Sequence, residues 1–265
     1  MIELTGLTKY FNRGGVNEVL ALDRIDLRIA VGEFVTVIGS NGAGKSTLLN
    51  CLAGSVPIDE GRLLLDGADI TAWPEHRRAA LIGRVFQDPL TGTCGDLTIE
   101  QNLALAARRG LPRGLRVGVK AREQDFFRTQ LTALELGLEN RLKDKVGLLS
   151  GGQRQALTMA MATLRPPRIL LLDEHTAALD PKTAAQILNL SRRMIETRNL
   201  TTLMVTHNMA HAIALGNRLI MLHRGRIILN VGGAQKAALT VEDLVAQFHA
   251  RQGERFTADR ALLGL

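Results

Sequence analysis

Apolar residues along this chain switch repeatedly between a period of two and a period near 3.6, marking out strands that alternate with helices. Glu33-Phe34-Val35-Thr36-Val37-Ile38 is a β-rich run ending at Gly39, and Lys45 to Ala53 then has helical spacing closed by Gly54. Arg168 to Leu172 predicts an apolar strand that ends in two carboxylates, and Leu200 to Val205 another that ends at Thr206-His207. Leu219 to Leu222 adds a strand, turned by Arg224-Gly225 into Arg226 to Val231 as a hairpin. The helices between are Gly151 to Leu164, stopped by Pro166-Pro167, and Pro181 to Thr197, with proline in its first turn. Strands separated by helices predict an α/β fold with a mostly parallel sheet, its functional residues gathered at strand carboxyl ends.

From about Asp88 to Leu149 the pattern changes. Thr98 to Arg109 and Glu123 to Leu136 are helical and no convincing strand accompanies them, so a helical subdomain, about 88–155, is inserted in the α/β core. The expected organisation is one domain over 1–231 and a short C-terminal helical tail over 232–265. A chain of 265 residues can bury a sizeable core. No apolar run approaches the ~20 residues that span a bilayer. The start, Met1-Ile2-Glu3-Leu4-Thr5, lacks the basic flank and apolar core of a signal peptide, which places the chain in the cytoplasm. Cys51 and Cys94 stand apart, without metal or redox spacing, and Cys51 reads as small core filler. The formal charge of +7 is concentrated: Arg108, Arg109, Arg113, Arg116, Lys120 and Arg122 are the only charges between 106 and 122. Such a run is either a solvated face or a contact for anionic lipid headgroups. Nucleic acid is not expected, because the chain has one Trp and one Tyr and no aromatic residue interleaves the cations.

Gly39-Ser40-Asn41-Gly42-Ala43-Gly44-Lys45-Ser46-Thr47 completes the pattern GxxxxGK[ST] between strand and helix. Its glycines let successive N–H groups turn inward around phosphate, Lys45 brings a point charge to the β- and γ-phosphates, and the Ser46 hydroxyl can ligate Mg²⁺. A tight turn alone would explain Gly39 and Gly42 but not the lysine and hydroxyl. Ser150-Gly151-Gly152-Gln153 is a second anion-reading turn opening a helix, its glycines leaving the N–H groups open to approach. Asp173 and Glu174 end an apolar strand, where alternation would send them to opposite faces with different roles. Asp173 would orient Mg²⁺ through water, and Glu174 would be the base or water-positioner at the γ-phosphate. His207 ends the next strand, and Gln87 follows Arg84-Val85-Phe86 as a neutral ligand to Mg²⁺ or the attacking water.

In this order, with Ala178-Leu179-Asp180 added, the motifs resemble the nucleotide-binding subunit of ABC transporters over Met1 to about Val231. The resemblance implies a P-loop NTPase core of ABC ATPase type with a small N-terminal antiparallel β subdomain. It implies ATP and Mg²⁺ as cofactors, with Glu174, His207 and Gln87 as the catalytic group and Asp180 near the nucleotide. It further implies that two such chains pair head to tail, Lys45 of one facing Ser150 and Gly152 of the other across each ATP. Phe11 takes the place where the family sets an aromatic ring against adenine, with Tyr10 as runner-up. Most members carry Pro where this chain has His175, which reads as a tolerated variation. The phrases Phe86 to Thr93 and Asp173 to Pro181 look most like bacterial importer ATPases paired with branched-chain-amino-acid-type permeases. That similarity implies integral membrane permease subunits, an extracytoplasmic substrate-binding protein, a peripheral site on the cytoplasmic face of the membrane, and a small solute such as an amino acid as cargo. The competing expectation is an ATPase of the same fold for lipid export or membrane maintenance.

Overall fold

The computed structural model describes residues 1–111, 119, 121–248 and 250. In chain order the elements are β1 (Ile2–Phe11), β2 (Val19–Ile29), β3 (Phe34–Gly39), α1 (Lys45–Ala53), β4 (Glu60–Leu65), β5 (Ala68–Asp69), α2 (Glu75–Arg78) and β6 (Ile82–Val85). There follow α3 (Ile99–Ala107), α4 (Ala121–Thr132), α5 (Gly151–Thr163), β7 (Ile169–Asp173), α6 (Pro181–Thr197), β8 (Thr202–Val205), α7 (Met209–Ala214), β9 (Arg218–His223), β10 (Arg226–Gly232) and α8 (Gly233–Ala237). Phe86 lies outside β6, so the loop that carries Gln87 begins one residue earlier than the sequence suggests.

Six strands form the central sheet in the order β10-β9-β3-β8-β7-β6, and four form a second sheet in the order β2-β1-β4-β5. Within the central sheet β9, β3, β8, β7 and β6 run parallel, and β10 returns antiparallel at one edge. Both the mostly parallel core and the small antiparallel N-terminal sheet are as the sequence led us to expect. The near-continuous apolar run of β7 follows from burial on both faces. Ile169 and Leu171 enter the core shared with α1 and the antiparallel sheet. Leu170 and Leu172 enter the core formed with Met159 of α5 and Ile195 of α6. In the first of these cores Leu48, Leu49 and Leu52 of α1 lie among Ile2, Leu4, Leu27 and Leu63 of one sheet and Val35, Leu171 and Leu203 of the other. The helix that opens at Lys45 is thus fixed from both sides.

The inserted helices have their own core, in which Ile99, Leu103, Phe127 and Leu131 pack with Ala156 and Leu157 of α5 and Ile187 and Leu190 of α6. Helices α5 and α6 therefore belong to both units. The segment after β10 also packs on the sheet: Leu244 and Phe248 join Ile38, Leu219 and Met221.

One structural residue gave no signal in the sequence. Arg78, at the end of α2, is 1% exposed and donates to the carbonyls of Cys51 and Leu52 in α1, of Thr71 and of Trp73. A cation closing the carboxyl end of the helix satisfies carbonyls that lack an intrahelical partner and opposes the negative end of its dipole. Burial pulls the guanidinium below its ordinary value. Cys51 sits beside it, fully buried, with its thiol pushed up to about 11, as expected of core filler. Replacing Arg78 by Met should cost about 3 kcal/mol in urea denaturation, because buried carbonyls lose their donor. Arg78→Lys should recover only part of the loss, since one ammonium cannot span four carbonyls.

Candidate functional site

The register of the parallel strands builds the site. Val37 pairs with Val205, and Asp173 pairs with Val205 from the other side, so β7 and β8 finish at one level and β3 continues past it to Gly39. Everything that follows those strands is delivered to the same edge: Ser40 to Lys45 after β3, Glu174 after β7, and Thr206-His207 after β8.

Between β3 and α1 the backbone curls tightly, with the Ala43 N–H donating to Ser40 O at 3.1 Å. Lys45 Nζ folds back over its own loop and donates to the carbonyls of Gly39 and Ser40, at 2.9 and 3.1 Å. Asn41, Gly42 and Ser46 are exposed at the loop's mouth, while Ala43, Gly44 and Lys45 are buried. The first N–H groups of α1 have no intrahelical acceptor, so the loop presents donors and the positive end of a helix to one small volume.

The two carboxylates are separated by a device other than the one the sequence suggested. β7 ends at Asp173, and Glu174 has left the strand with φ 42°, so alternation along a strand does not set their directions. The Glu174 N–H donates to Val205 O at 3.0 Å, which pins this left-handed residue to the end of β8. Its carboxylate Oε2 accepts from Nδ1–H of His207 at 3.0 Å. Asp173 lies in a drier place and pairs with Arg84 at 3.2 Å. Burial raises its carboxyl above the ordinary value, and the guanidinium of Arg84 opposes that shift. Arg84 also donates to Asn50 Oδ1 of α1 at 2.7 Å, linking the carboxylate strand to the helix behind the phosphate loop. Sequence reasoning used Arg84 only to mark a strand; its charge beside a strand that ends in two acids was the available signal.

Ser150 caps α5 in a reciprocal arrangement. Its Oγ accepts from the Gln153 N–H at 3.3 Å, and the Gln153 side chain accepts from the Ser150 N–H at 3.2 Å. Gly151 and Gly152 keep the free first-turn N–H groups, but the absence of their side chains has a local cause as well. A methyl group on Gly152 would meet Thr183 Cγ2 at 2.3 Å, and one on Gly151 would meet Leu179 at 3.2 Å. Asp180 is the cap of α6: its carboxylate accepts from the Thr183 N–H at 3.1 Å, and hydrogen bonding from the Thr183 hydroxyl, then from that N–H, lowers its pKa.

Phe11 is 39% exposed at the end of β1, with Lys9 Nζ 5.6 Å from its ring, whereas Tyr10 is covered by Arg13 at 4.5 Å. Gln87 is exposed in the loop after β6. The basic run divides. Arg109 is half-buried and donates to the carbonyls of Ala162 and Arg165 at the carboxyl end of α5, so it is not free to meet lipid headgroups. Arg122 is exposed, and Arg113, Arg116 and Lys120 lie outside the described residues. His175 is fully buried, with Nε2 3.0 Å from Ser191 Oγ of α6, and burial brings its pKa down to about 4.

The family model described as "ABC transporter" matches residues 22–177. A tyrosine transport ATP-binding protein of Clostridioides difficile is 42% identical over 248 residues, which cover 94% of this chain and 98% of that one. A thiamine import ATP-binding protein of Yersinia pseudotuberculosis is 38% identical over 202 residues, 76% of this chain and 80% of that one. Among solved structures, a dimeric ATP-binding cassette in a post-hydrolysis state with ADP and phosphate superposes with TM-score 0.73. It is 31% identical, and the match covers 88% of this chain and 98% of that one.

The buried histidine makes stability depend on pH. Its pKa is about 4 in the folded chain and about 6.5 when unfolded, so between these values only the unfolded chain takes up the proton. The stabilising contribution is complete above the unfolded value and is lost as pH falls through this window, at about 1.4 kcal/mol per pH unit. Urea midpoints measured from pH 7.5 to 4.5 should fall less steeply for His175→Gln than for the wild type.

Proposed function

The chain belongs to the ABC transporter family as an ATP-binding, ATP-hydrolysing subunit, and from that premise we propose that it powers import of an amino acid of the tyrosine class. The cargo reading rests on the near end-to-end match to the tyrosine transport subunit. The other relative described above serves import as well, and lipid export has no comparable support.

The observation that supports the site assignments is the convergence of Lys45, Asp173, Glu174 and His207 at the ends of three strands in register. In this reading the ATP phosphates lie over Gly39, Ser40, Asn41, Gly42, Ala43, Gly44, Lys45, Ser46 and Thr47, and adenine rests against Phe11. Glu174 takes the proton of the attacking water, and His207, through Nδ1–H, holds that carboxylate in its direction. The Glu174 backbone is held in a left-handed conformation by β8, so the base is fixed by backbone rather than by its flexible side chain alone.

Ser46, Gln87 and Asp173 offer a hydroxyl, an amide oxygen and a carboxylate. These hard oxygen donors suit Mg²⁺, which keeps several waters and takes few protein ligands. Among the described residues no three His, Cys, Asp or Glu gather into a metal cage. The ion would supply charge neutralisation at the phosphates.

Ser150, Gly151, Gly152 and Gln153 then complete the site of a second copy in a head-to-tail pair, with Asp180 beside the seam. Integral permease subunits and an extracytoplasmic binding protein are the further partners, and the subunit sits peripherally on the cytoplasmic face of the membrane. No helix among the described residues is long and apolar enough to cross a membrane.

The shared site is tested by mixing. Lys45→Ala and Ser150→Arg chains should each be inactive alone, and an equimolar mixture should regain part of the ATPase activity, because one of its two composite sites is intact. No recovery in a mixture shown to dimerise would contradict the pairing. Cargo is tested by co-purification from detergent-solubilised membranes followed by uptake of labelled tyrosine in reconstituted vesicles. ATP-dependent accumulation is expected, and uptake of lipid or no amino acid would overturn the cargo reading.

A further inference from the structure

The turn between β9 and β10 lies far from the phosphate loop in sequence and against it in space. His223 pairs with Arg226, so Arg224 and Gly225 form a two-residue hairpin loop, and both have positive φ, 47° and 76°. That is the primed turn whose twist suits paired strands. The Gly225 N–H donates to the carbonyl of Ala43 at 3.0 Å, and the Gly225 carbonyl accepts from the Asp23 N–H at 2.9 Å. Asp23 in turn holds Arg226 by an ion pair at 2.5 Å. The turn therefore joins the middle of the phosphate loop to β2.

The contact leaves no spare room. A methyl group on Gly225 would meet Ala21 O at 2.8 Å, and one on Gly44 would meet the same oxygen at 2.5 Å. The Cα of Gly225 lies 3.5 Å from that position on Gly44. Loop, turn and β2 thus pack backbone against backbone. A trans peptide points its C=O and its N–H in opposite directions. By drawing the Ala43 carbonyl toward itself, the Gly225 N–H turns the Gly44 N–H the other way, into the curl of the loop.

We propose that the Arg224–Gly225 turn is a positioning element for nucleotide binding, and that Gly225 sets the direction of the Gly44 N–H that meets phosphate. The inference rests on the reading of Gly39 to Thr47 as the phosphate loop. The turn touches no nucleotide and acts only through the Ala43–Gly44 peptide. Because β9 and β10 follow the histidine strand, movement of that part of the sheet would reach the phosphates by this route.

The test is ADP affinity by isothermal titration, with ATPase kinetics alongside. Gly225→Ala should raise the ADP Kd and the ATP KM at least tenfold and change kcat less than threefold. Gly233→Ala is the control, at another left-handed glycine, φ 54°, where an added methyl meets nothing within 4 Å. It should lose some thermal stability, from its left-handed backbone alone, with unchanged ADP affinity. Asp23→Asn, which weakens the tether to Arg226 and leaves the backbone alone, should raise the ADP Kd about threefold, and serves if Gly225→Ala fails to fold. Wild-type ADP affinity in Asp23→Asn, or equal affinities in the two glycine variants, would overturn the proposal. Lys45→Ala, titrated in the same series, separates the two readings. Retained ADP binding there would count against the phosphate loop itself, whereas its loss together with wild-type affinity in Gly225→Ala would count against the turn alone.

Discussion

Parallel registration of β3, β8 and β7 is the constraint on which the rest of this molecule depends. Because Val37 and Asp173 both pair with Val205, β7 and β8 end together and β3 runs on to Gly39, so the segments that follow all three leave the sheet at the same edge. Had β7 slipped by one residue, its side chains would change faces and Leu172 would leave the core with Met204 and Ile195 for the side of α1. Burial on both faces makes such a slip expensive. The same apolar packing that stabilises the sheet therefore fixes the distance between the phosphate loop and the carboxylates.

Around that edge the chain adds backbone-level locks. Arg78 closes the far end of α1, so the helix behind Lys45 is fixed at both ends. Arg84 joins Asn50 to Asp173. The Glu174 N–H is tied to β8, and the Gly225 N–H to the loop. Each of these uses a main-chain group or a guanidinium at least half-buried, and such contacts leave less freedom than pairs of exposed side chains. By contrast, the His207 side chain is 62% exposed and Gln87 is exposed in the loop after β6.

Much of the fold was legible because its signals are local. The spacing of glycines and lysine at Gly39 to Lys45, the apolar run before Asp173 and the prolines at 166–167 and 181 all act within a few residues, and the corresponding strands and helices stand within one or two residues of expectation. The expected roles of the site residues are another matter, since position alone does not assign them. What escaped the sequence depends on groups brought together from afar. Arg78 and the Gly225 turn are meaningful only once α1 is folded against them. The glycines at 151 and 152 read as openings for phosphate, while Thr183 and Leu179 give a packing reason that no window of sequence contains. Sequence pattern suggests strand alternation as what separates Asp173 from Glu174, whereas a left-handed backbone turn achieves it.

At the centre of the proposed function stands Glu174, held by β8 and met by His207, as the base we propose for ATP hydrolysis. The most direct measurement is steady-state ATPase activity of Glu174→Gln with ATP affinity measured on the same protein. Size and fold are kept while the proton acceptor is removed, so turnover should fall about 100-fold or more with ATP affinity within threefold of the wild type. Hydrolysis near the wild-type rate, in protein shown to bind ATP normally, would contradict the account.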